Sequence, residues 1–585
     1  MQTGLTGFMS AVVCLCFVNS VILSQAADNM EGTVALSERP SRQSHSLCAG
    51  EKEYVHKRKQ IVLHSLNTLE INCTADSVPH IALLASGGGQ RAAVGLVGSL
   101  HQMEKEGLLD TLLYLGGVSG STWSMASLYN DSQFSTNMDA AVSRLLDSPS
   151  VKLEQAVDWL GERAKEEDFS LADIWGVLTS AGIMKQMDLR CLSDEANRNA
   201  TNPYPIYCAI EKHCFTQGPI EGKWFEISPH EAGFTELGLF IETSLLGSKF
   251  QNGSLLEKKK EMDMVKLQGI LGSAIANEEN LRDFVPQWLN VPWHLDSAAK
   301  EYLRVWIILD KVIALTRKTV KNTTALMYLD KLQKILEDKV NQSKTESVEA
   351  ASMEERKTLF NQWSQKLLAA AETWSQSLDD GAFKTHVSFL INQVIPLIAE
   401  WKWGTTGNFL YQYQESSVPA CLYSNERLQL IDAGLMINVP YPSFLGDKRD
   451  IDLIIAPEYS AGNMFQTLTL ARDYAAEMEK PFPEINDTIL EDRDWPKDCY
   501  VLEGKEKEPT IIYMPLFNRR NCKDAEEFKA KMDEFSTFQR PFSQEKIKFV
   551  LETAKENVKN NKETLLKEIN KAALRRHNKW KAGEP

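Results

Sequence analysis

Positive charge is what this sequence is shortest of. Its 64 lysines and arginines are outnumbered by 79 aspartates and glutamates, giving a formal net charge of −15 over 585 residues. Phosphate backbones are gripped by dense Lys/Arg surfaces, so the balance argues against a nucleic-acid partner. It also removes any general attraction to anionic membranes, so contact with a lipid surface has to be local and largely apolar. No Gly-Lys-Ser/Thr follows a glycine-rich turn, which excludes a P-loop, and no EF-hand pattern occurs. Histidine is sparse too: ten residues, of which only His230, in SPHEAGF, sits in a loop of site character. The rest is ordinary, 43% hydrophobic and 9% aromatic, which allows a large core and excludes wholesale disorder.

The N-terminus lacks basic residues before Arg39, yet Phe8–Leu23 reads FMSAVVCLCFVNSVIL and runs into Ser24-Gln25-Ala26-Ala27. An apolar run followed by small residues is the shape of a secretory signal peptide. We therefore expect a signal over 1–27 and a polar segment over 28–56; an uncleaved anchor or a misassigned first exon would leave the same run. Of ten cysteines, Cys14 and Cys16 fall in this leader, and the remaining eight permit full pairing. Glycosylation tripeptides occur at Asn72, Asn130, Asn199, Asn252, Asn322, Asn341 and Asn486. The expectation is a secretory glycoprotein.

Glu51–Asn67 has helical character. Ile81–Ala85 is a short apolar run of buried-strand type, broken by Gly87-Gly88-Gly89. Helical spacing follows over Arg91–Leu109, then a strand over Thr111–Leu115, a sharp turn at Gly116–Gly120 and a helix over Thr122–Tyr129. Strand, helix, strand, helix implies a parallel sheet covered on its faces. From about Asn280 to Trp403 the pattern is nearly all helical and holds seven of the thirteen tryptophans. Strands return in RLQLIDAG, DIDLIIAP and TIIYMPLF, and one long helix is expected over Gln544–Leu574.

Gly117-Val118-Ser119-Gly120-Ser121 lies between a strand and a helix, the context of a nucleophile elbow, although Ser121 stands where such motifs usually carry glycine. A plain Gly/Ser loop would read the same way. Ser86-Gly87-Gly88-Gly89-Gln90-Arg91 marks a second strand-to-helix turn, where a glycine run lets backbone N–H groups approach a developing oxyanion. Arg91 could pair there with a lipid phosphate, or be an ordinary structural arginine. Gly87-x-Gly89-x-x-Ala92 also fits a dinucleotide fingerprint with Asp110 as its acid, but Asp110 precedes a strand rather than ending one. As partner for Ser119, Asp432 is better placed than His230, because it ends the apolar strand LQLI beside Ala433-Gly434. A carboxylate in a dry pocket could take the serine proton directly; a turn cap is the alternative.

The set SGGGQR, GVSGSTW and DAGLMINVPYP resembles the catalytic domain of group IV cytosolic phospholipases A2, most closely their gamma form without a C2 domain. The likeness runs from about Lys57 to the C-terminus and includes NPYPIYCAI, SPHEAGF and WKWGTTGNFLY. The resemblance implies a three-layer α/β/α patatin-like core and a Ser–Asp dyad of Ser119 and Asp432. It also implies an oxyanion hole at Gly88 and Gly89 and a phosphate contact by Arg91. The chain departs from the gamma form in its leader and in ending Lys581-Ala582-Gly583-Glu584-Pro585, without a prenylation cysteine.

The expected molecule is thus α/β, a catalytic domain over 57–585 with a helical lid or cap inserted at about 280–403. Its expected activity is hydrolysis of phospholipid and lysophospholipid acyl esters at a membrane surface, with no cofactor and no metal. Calcium independence is expected because only about fifty residues separate Asp28 from the first strand, too few for a separate ~100-residue module. The Trp-rich insertion is the candidate interfacial element, though tryptophans also pack between helices. A non-catalytic lipid-binding protein, or a dinucleotide-dependent oxidoreductase, are the alternatives in function. Cytosol with peripheral membrane association, as in the family, is the alternative in location.

Overall fold

The computed structural model describes residues 40–149, 151–274, 309, 313, 317, 321–342, 353–400, 402–415, 417–537 and 542–581. The expected leader lies outside them, as do Trp288, Trp293, Trp306 and Trp401. Six strands position the site: β1 (Ile81–Ala85), β2 (Tyr114–Gly117), β3 (Tyr204–Glu211), β4 (Arg427–Asp432), β5 (Leu453–Glu458) and β6 (Thr510–Pro515). β3, β2, β1, β5 and β6 lie side by side and all parallel. Every residue of β1 is buried, which is why it is apolar throughout rather than alternating. Four antiparallel strands, Trp224–Ile227, Glu231–Phe234, Leu239–Glu242 and Ser41–Gln43, extend the sheet beyond β3. With Tyr500–Leu502 beyond β6 and Thr405–Gly407 on β4, the sheet has twelve strands among the described residues.

Two strand–turn–helix units sit next to each other. β1 feeds α1 (Gly89–Lys105) and β2 feeds α2 (Gly120–Leu128). α3 (Met264–Leu271) is buried along its whole length. The expected C-terminal helix is two helices, α4 (Gln544–Asn560) and α5 (Lys562–Lys581). Asn561 breaks it: its amide donates to the Asn557 carbonyl at 2.9 Å and to Asp498 at 3.0 Å, so the side chain serves the chain reversal. α4 packs on α1, where a Cβ at Gly98 would stand 2.6 Å from the Leu551 carbonyl oxygen. β2 begins three residues later than its pattern suggests, because Leu109–Thr111 forms a short turn and Arg58 takes the Leu112 carbonyl at 3.0 Å.

By contact density the chain divides into two units. One spans 35–150, 179–277 and 405–585 and contains the sheet; the described part of the other falls within 151–178 and 278–404. The second unit therefore takes in a segment, 151–178, that the sequence pattern did not single out. Leu171 N–H donates to the Lys402 carbonyl at 2.8 Å, and Phe169 lies 6.4 Å from Phe389. Helices Thr323–Gln342 and Met353–Gln376 pack on each other, and Ala325, Leu329 and Leu332 on the first and Leu367, Ala371 and Trp374 on the second are buried. Trp374 and Trp403 are fully buried. These two tryptophans are core residues of their unit rather than a surface for lipid.

Of the eight cysteines outside the leader, one pair is joined, Cys214 to Cys421, with Cα atoms 5.3 Å apart across 207 residues of sequence. Cys48, Cys73, Cys191, Cys208, Cys499 and Cys522 are free, so the expected full pairing is not what the fold builds. The bridge ties the helix after β3 (Lys212–Gln217) to the turn before β4 (Ala420–Tyr423). Non-reducing peptide mapping should find Cys214–Cys421 as the linked pair. Cys421→Ser should lower Tm, the stability lost with so long a loop closure being about 2–5 kcal/mol. A map showing other pairs would contradict this arrangement.

Candidate active site

The site forms where β1, β2, β4 and β5 end. β2 closes at Gly117, and the chain then turns through Ser119, whose backbone is at φ 55° and ψ −126°. An L-residue in that region is strained by about 1–3 kcal/mol, the sharp-elbow geometry that lifts a side chain off the sheet edge. Ser119 is 6% exposed and immediately precedes α2, so it stands at the positive end of that helix. A Cβ at Gly120 would overlap the Gly89 carbonyl oxygen, and one at Gly117 would overlap the Met125 sulfur. Both glycines are needed for close approach.

The glycine run lies against this elbow. Gly88 has φ 148° and Gly89 φ 58°, conformations that L side chains rarely adopt, and Gly88 precedes the first turn of α1. A Cβ on Gly87 would stand 2.6 Å from the Ser119 Cβ. The two turns are pinned together by Ser121, whose hydroxyl donates to the Ser86 carbonyl at 2.5 Å, while the Ser86 hydroxyl accepts from Tyr459 N–H at 2.5 Å. Serine in place of the usual last glycine therefore has a structural task that the motif alone did not disclose.

Asp432 arrives from the opposite direction. β2 pairs with β3 up to Gly117 opposite Tyr207, and β4, running antiparallel, pairs with β3 from Glu211 back to Ala209, opposite Asp432. The two strands thus meet head-on along one edge of β3, and their ends carry Ser119 and Asp432. Asp432 is fully buried, and burial raises its carboxyl pKa to about 7. The nearby Ser119 hydroxyl and the N–H groups of Gly434 and Ala274 pull it back down. Gly434 N–H donates to Oδ1 at 2.8 Å. Ser119 is close enough to bias the ionisation but closes no regular hydrogen bond on Oδ2, which has no partner. A buried carboxyl with one open oxygen beside a strained serine can exchange a proton with it.

Arg91 is not placed as expected. It is 1% exposed, and its donors are directed at protein: Nε at the Tyr459 carbonyl (2.7 Å), Nη1 at the Phe535 carbonyl (2.5 Å) and Nη2 at the Thr537 hydroxyl (3.4 Å). Burial pushes its pKa down to about 10, with Glu458 pulling the other way. The side chain ties the glycine turn to the segments after β5 and before α4; it does not present an open fork to a phosphate. His230 is bound to the Tyr204 hydroxyl at 2.8 Å, at the start of β3, about 16 Å of strand away from Ala209. Asp110 is paired with Arg58 at 2.8 Å, ahead of β2, as the dinucleotide alternative does not allow.

Residues that the sequence reading passed over complete the site. Asn438, Tyr459 and Ser460 bracket the glycine run, and Ala274, just after α3, reaches Asp432. Asn438 stood inside a quoted motif, but only the third dimension gives it neighbours.

Comparison with known proteins agrees with this arrangement. The lysophospholipase catalytic domain family matches residues 81–288. The chain is 30% identical over 559 residues to cytosolic phospholipase A2 gamma of Mus musculus, covering 89% of this chain and 91% of that one. It is 30% identical over 530 residues to the Homo sapiens protein of the same name, covering 89% and 94%. In structure it is similar to human GIVD cytosolic phospholipase A2, with a TM-score of 0.63 at 21% identity, covering 92% of this chain and 66% of that chain. That last likeness speaks to the α/β fold.

The raised pKa of Asp432 has a consequence for stability. An unfolded aspartate titrates near 4, whereas the folded carboxyl titrates near 7. Stability from this group is full below about pH 4 and is lost as pH rises through 7, because the folded state then holds a buried charge. Asp432→Asn should therefore melt higher than wild type at pH 8, with the gap closing toward pH 5. A gap that does not vary with pH would mean the carboxyl is not desolvated.

Proposed function

The chain belongs to the cytosolic phospholipase A2 family and is a phospholipase; we propose that it cleaves fatty acyl esters of glycerophospholipids and lysophospholipids with Ser119 as nucleophile and Asp432 as sole proton-transfer partner. The observation supporting this reading is the head-on meeting of β2 and β4 along β3, which sets a buried carboxyl beside the elbow serine, with the site-loop His230 bound elsewhere. Ser119 Oγ attacks the acyl carbonyl while Asp432 accepts its proton. The oxyanion is received by the N–H groups of Gly88 and Gly89 at the start of α1, with the start of α2 adding its dipole. Asp432 returns the proton to the leaving alkoxide, which departs as the lyso product and leaves acyl-Ser119. Water, deprotonated by Asp432, then attacks acyl-Ser119; the C–Oγ bond breaks, Asp432 returns that proton to Ser119 Oγ, and the fatty acid leaves. A carboxyl near pH 7 suits both halves, since neither protonation state is scarce at neutral pH.

The scheme asks nothing of a metal. Among the described residues one group of potential ligands gathers, Cys48, Glu51 and Glu231, and its carboxylates are held by Arg449 and Arg42. We place the protein in the cytosol with peripheral contact to its phospholipid substrate; the Cys214–Cys421 bridge is the one feature among the described residues that speaks for an oxidising compartment. The relatives are named cytosolic, and they lend the expected signal peptide and glycosylation no support. No helix among the described residues is long and apolar enough to cross a membrane.

Ser119→Ala and Asp432→Asn should each abolish fatty acid release from phosphatidylcholine, the double variant being little worse than either single. A fluorophosphonate should label wild type stoichiometrically at Ser119, and turnover should persist in excess chelator. Wild-type turnover in Asp432→Asn would overturn the dyad, and loss in chelator restored by calcium would overturn metal independence. Arg91 tests the clamp: Arg91→Ala should cut hydrolysis of phospholipid and of a small neutral ester alike, and lower Tm. Loss confined to the phospholipid would instead return Arg91 to phosphate binding.

A further inference from the structure

Three turns have to hold still together for this site to work: the glycine run, the elbow and the turn after Asp432. One side chain touches the first and the third and lies beside the second. The Asn438 backbone carbonyl accepts the Gly87 N–H at 3.0 Å. Its amide Oδ1 occupies the space in which a Cβ at Gly87 would stand, and that point is also 2.6 Å from the Ser119 Cβ. The same Oδ1 lies 2.5 Å from where a Gly434 Cβ would be, a point 3.0 Å from Asp432 Oδ1. Gly434 is the residue whose N–H binds Asp432. The amide is aimed by its other end, where Nδ2 donates to the Ser460 hydroxyl at 2.6 Å, and Ser460 N–H is fixed on Glu458 at 2.6 Å. Glu458 is in turn gripped by the Thr467 and Tyr513 hydroxyls at 2.7 and 2.9 Å.

We propose that Asn438 is a positioning residue that sets the spacing between the Ser119 elbow, the glycine run and Asp432, acting through Gly87 and Gly434 from an anchor on Ser460. This rests on the Ser119–Asp432 reading. The arrangement needs an amide of this length. A longer side chain would displace Gly87, and alanine would leave both glycine turns without the wedge between them. Asn438 is partly exposed, so its loss leaves the core intact. A carboxylate in its place would keep the shape, remove the donor to Ser460 and put a like charge beside Asp432. The Ser119 hydroxyl and the N–H groups of Gly434 and Ala274 are the neighbours that tune Asp432 besides burial, so a new charge there would register strongly.

The test uses the full-length protein with Asn438→Ala, Asn438→Asp and Ser460→Ala, measuring kcat and KM on phosphatidylcholine vesicles against pH. Asn438→Ala should lose about 10- to 100-fold in kcat with KM and Tm near wild type. Ser460→Ala should show a smaller loss of the same kind, absorbed in the double variant. Asn438→Asp should move the acidic limb of the pH–rate profile to higher pH by about one unit, as a neighbouring like charge requires. Wild-type kcat in Asn438→Ala, or an unmoved limb in Asn438→Asp, would overturn the proposal. So would a Tm drop large enough to account for the loss. If Asp432→Asn itself kept turnover, the underlying dyad would have failed; inactive Asp432→Asn beside fully active Asn438 variants would sink the positioning role alone.

Discussion

The site depends on one strand that two others share. β3 offers a single edge to β2 and β4, parallel to the first and antiparallel to the second. The register leaves Gly117 opposite Tyr207 and Asp432 opposite Ala209. Because β2 runs up the edge and β4 runs down it, the strand ends meet, and whatever each carries at its tip is pressed together. A slip of one residue in either ladder would turn every side chain of that strand to the other face. The buried apolar residues of β3 and β4 resist such a slip. The closeness of Ser119 and Asp432, on which the proposed proton transfer rests, is in this sense a property of sheet register. The Cys214–Cys421 bridge braces the same two strands from their far ends.

In the proposed scheme the pair owes its chemistry to how poorly Asp432 is satisfied. Most buried carboxylates in this molecule have an arginine or lysine: Glu51 and Glu226 share Arg449, and Asp452 has Arg576. Asp432 has two backbone N–H groups and a serine, and one oxygen with no partner. That deficit costs stability and raises the pKa into the range where a carboxylate can act as a base without histidine. The surroundings that tolerate it are hydrogen-bonded braces rather than charges: Ser121 on Ser86, Arg91 on Tyr459 and Phe535, Asn438 on Ser460. Arg91 shows the same economy, since a guanidinium sunk among backbone carbonyls is a fastener before it is a ligand.

Much was legible along the chain because it is local physics. An all-apolar pentapeptide that runs into a glycine-rich turn reads as a strand covered on both faces, and Ile81–Ala85 is one. A serine between glycines at a strand-to-helix turn announces an elbow, and Ser119 has the strained backbone that goes with it. The two glycine turns and the strand ending in Asp432 were readable for the same reason: each is set by residues within a few positions of one another. Where the local rule was incomplete the reading slipped, as at Asn561, where a side chain bonding outward to Asp498 splits an otherwise continuous helical pattern.

Tertiary structure decided everything that joins distant parts of the sequence. Ser119 and Asp432 lie more than three hundred residues apart in sequence and meet only because both their strands pair with β3, which no spacing encodes. Segment 151–178 belongs with the described residues of 278–404 because of contacts, not composition. Arg91 could have been a phosphate arm or a fastener until Phe535 and Tyr459 closed around it. One cysteine pair formed out of eight thiols because only Cys214 and Cys421 were brought to bridging distance. The sequence determined the local shapes and the chemistry each could offer; which of them would meet was settled by sheet register and packing, which act between residues that the chain itself keeps far apart.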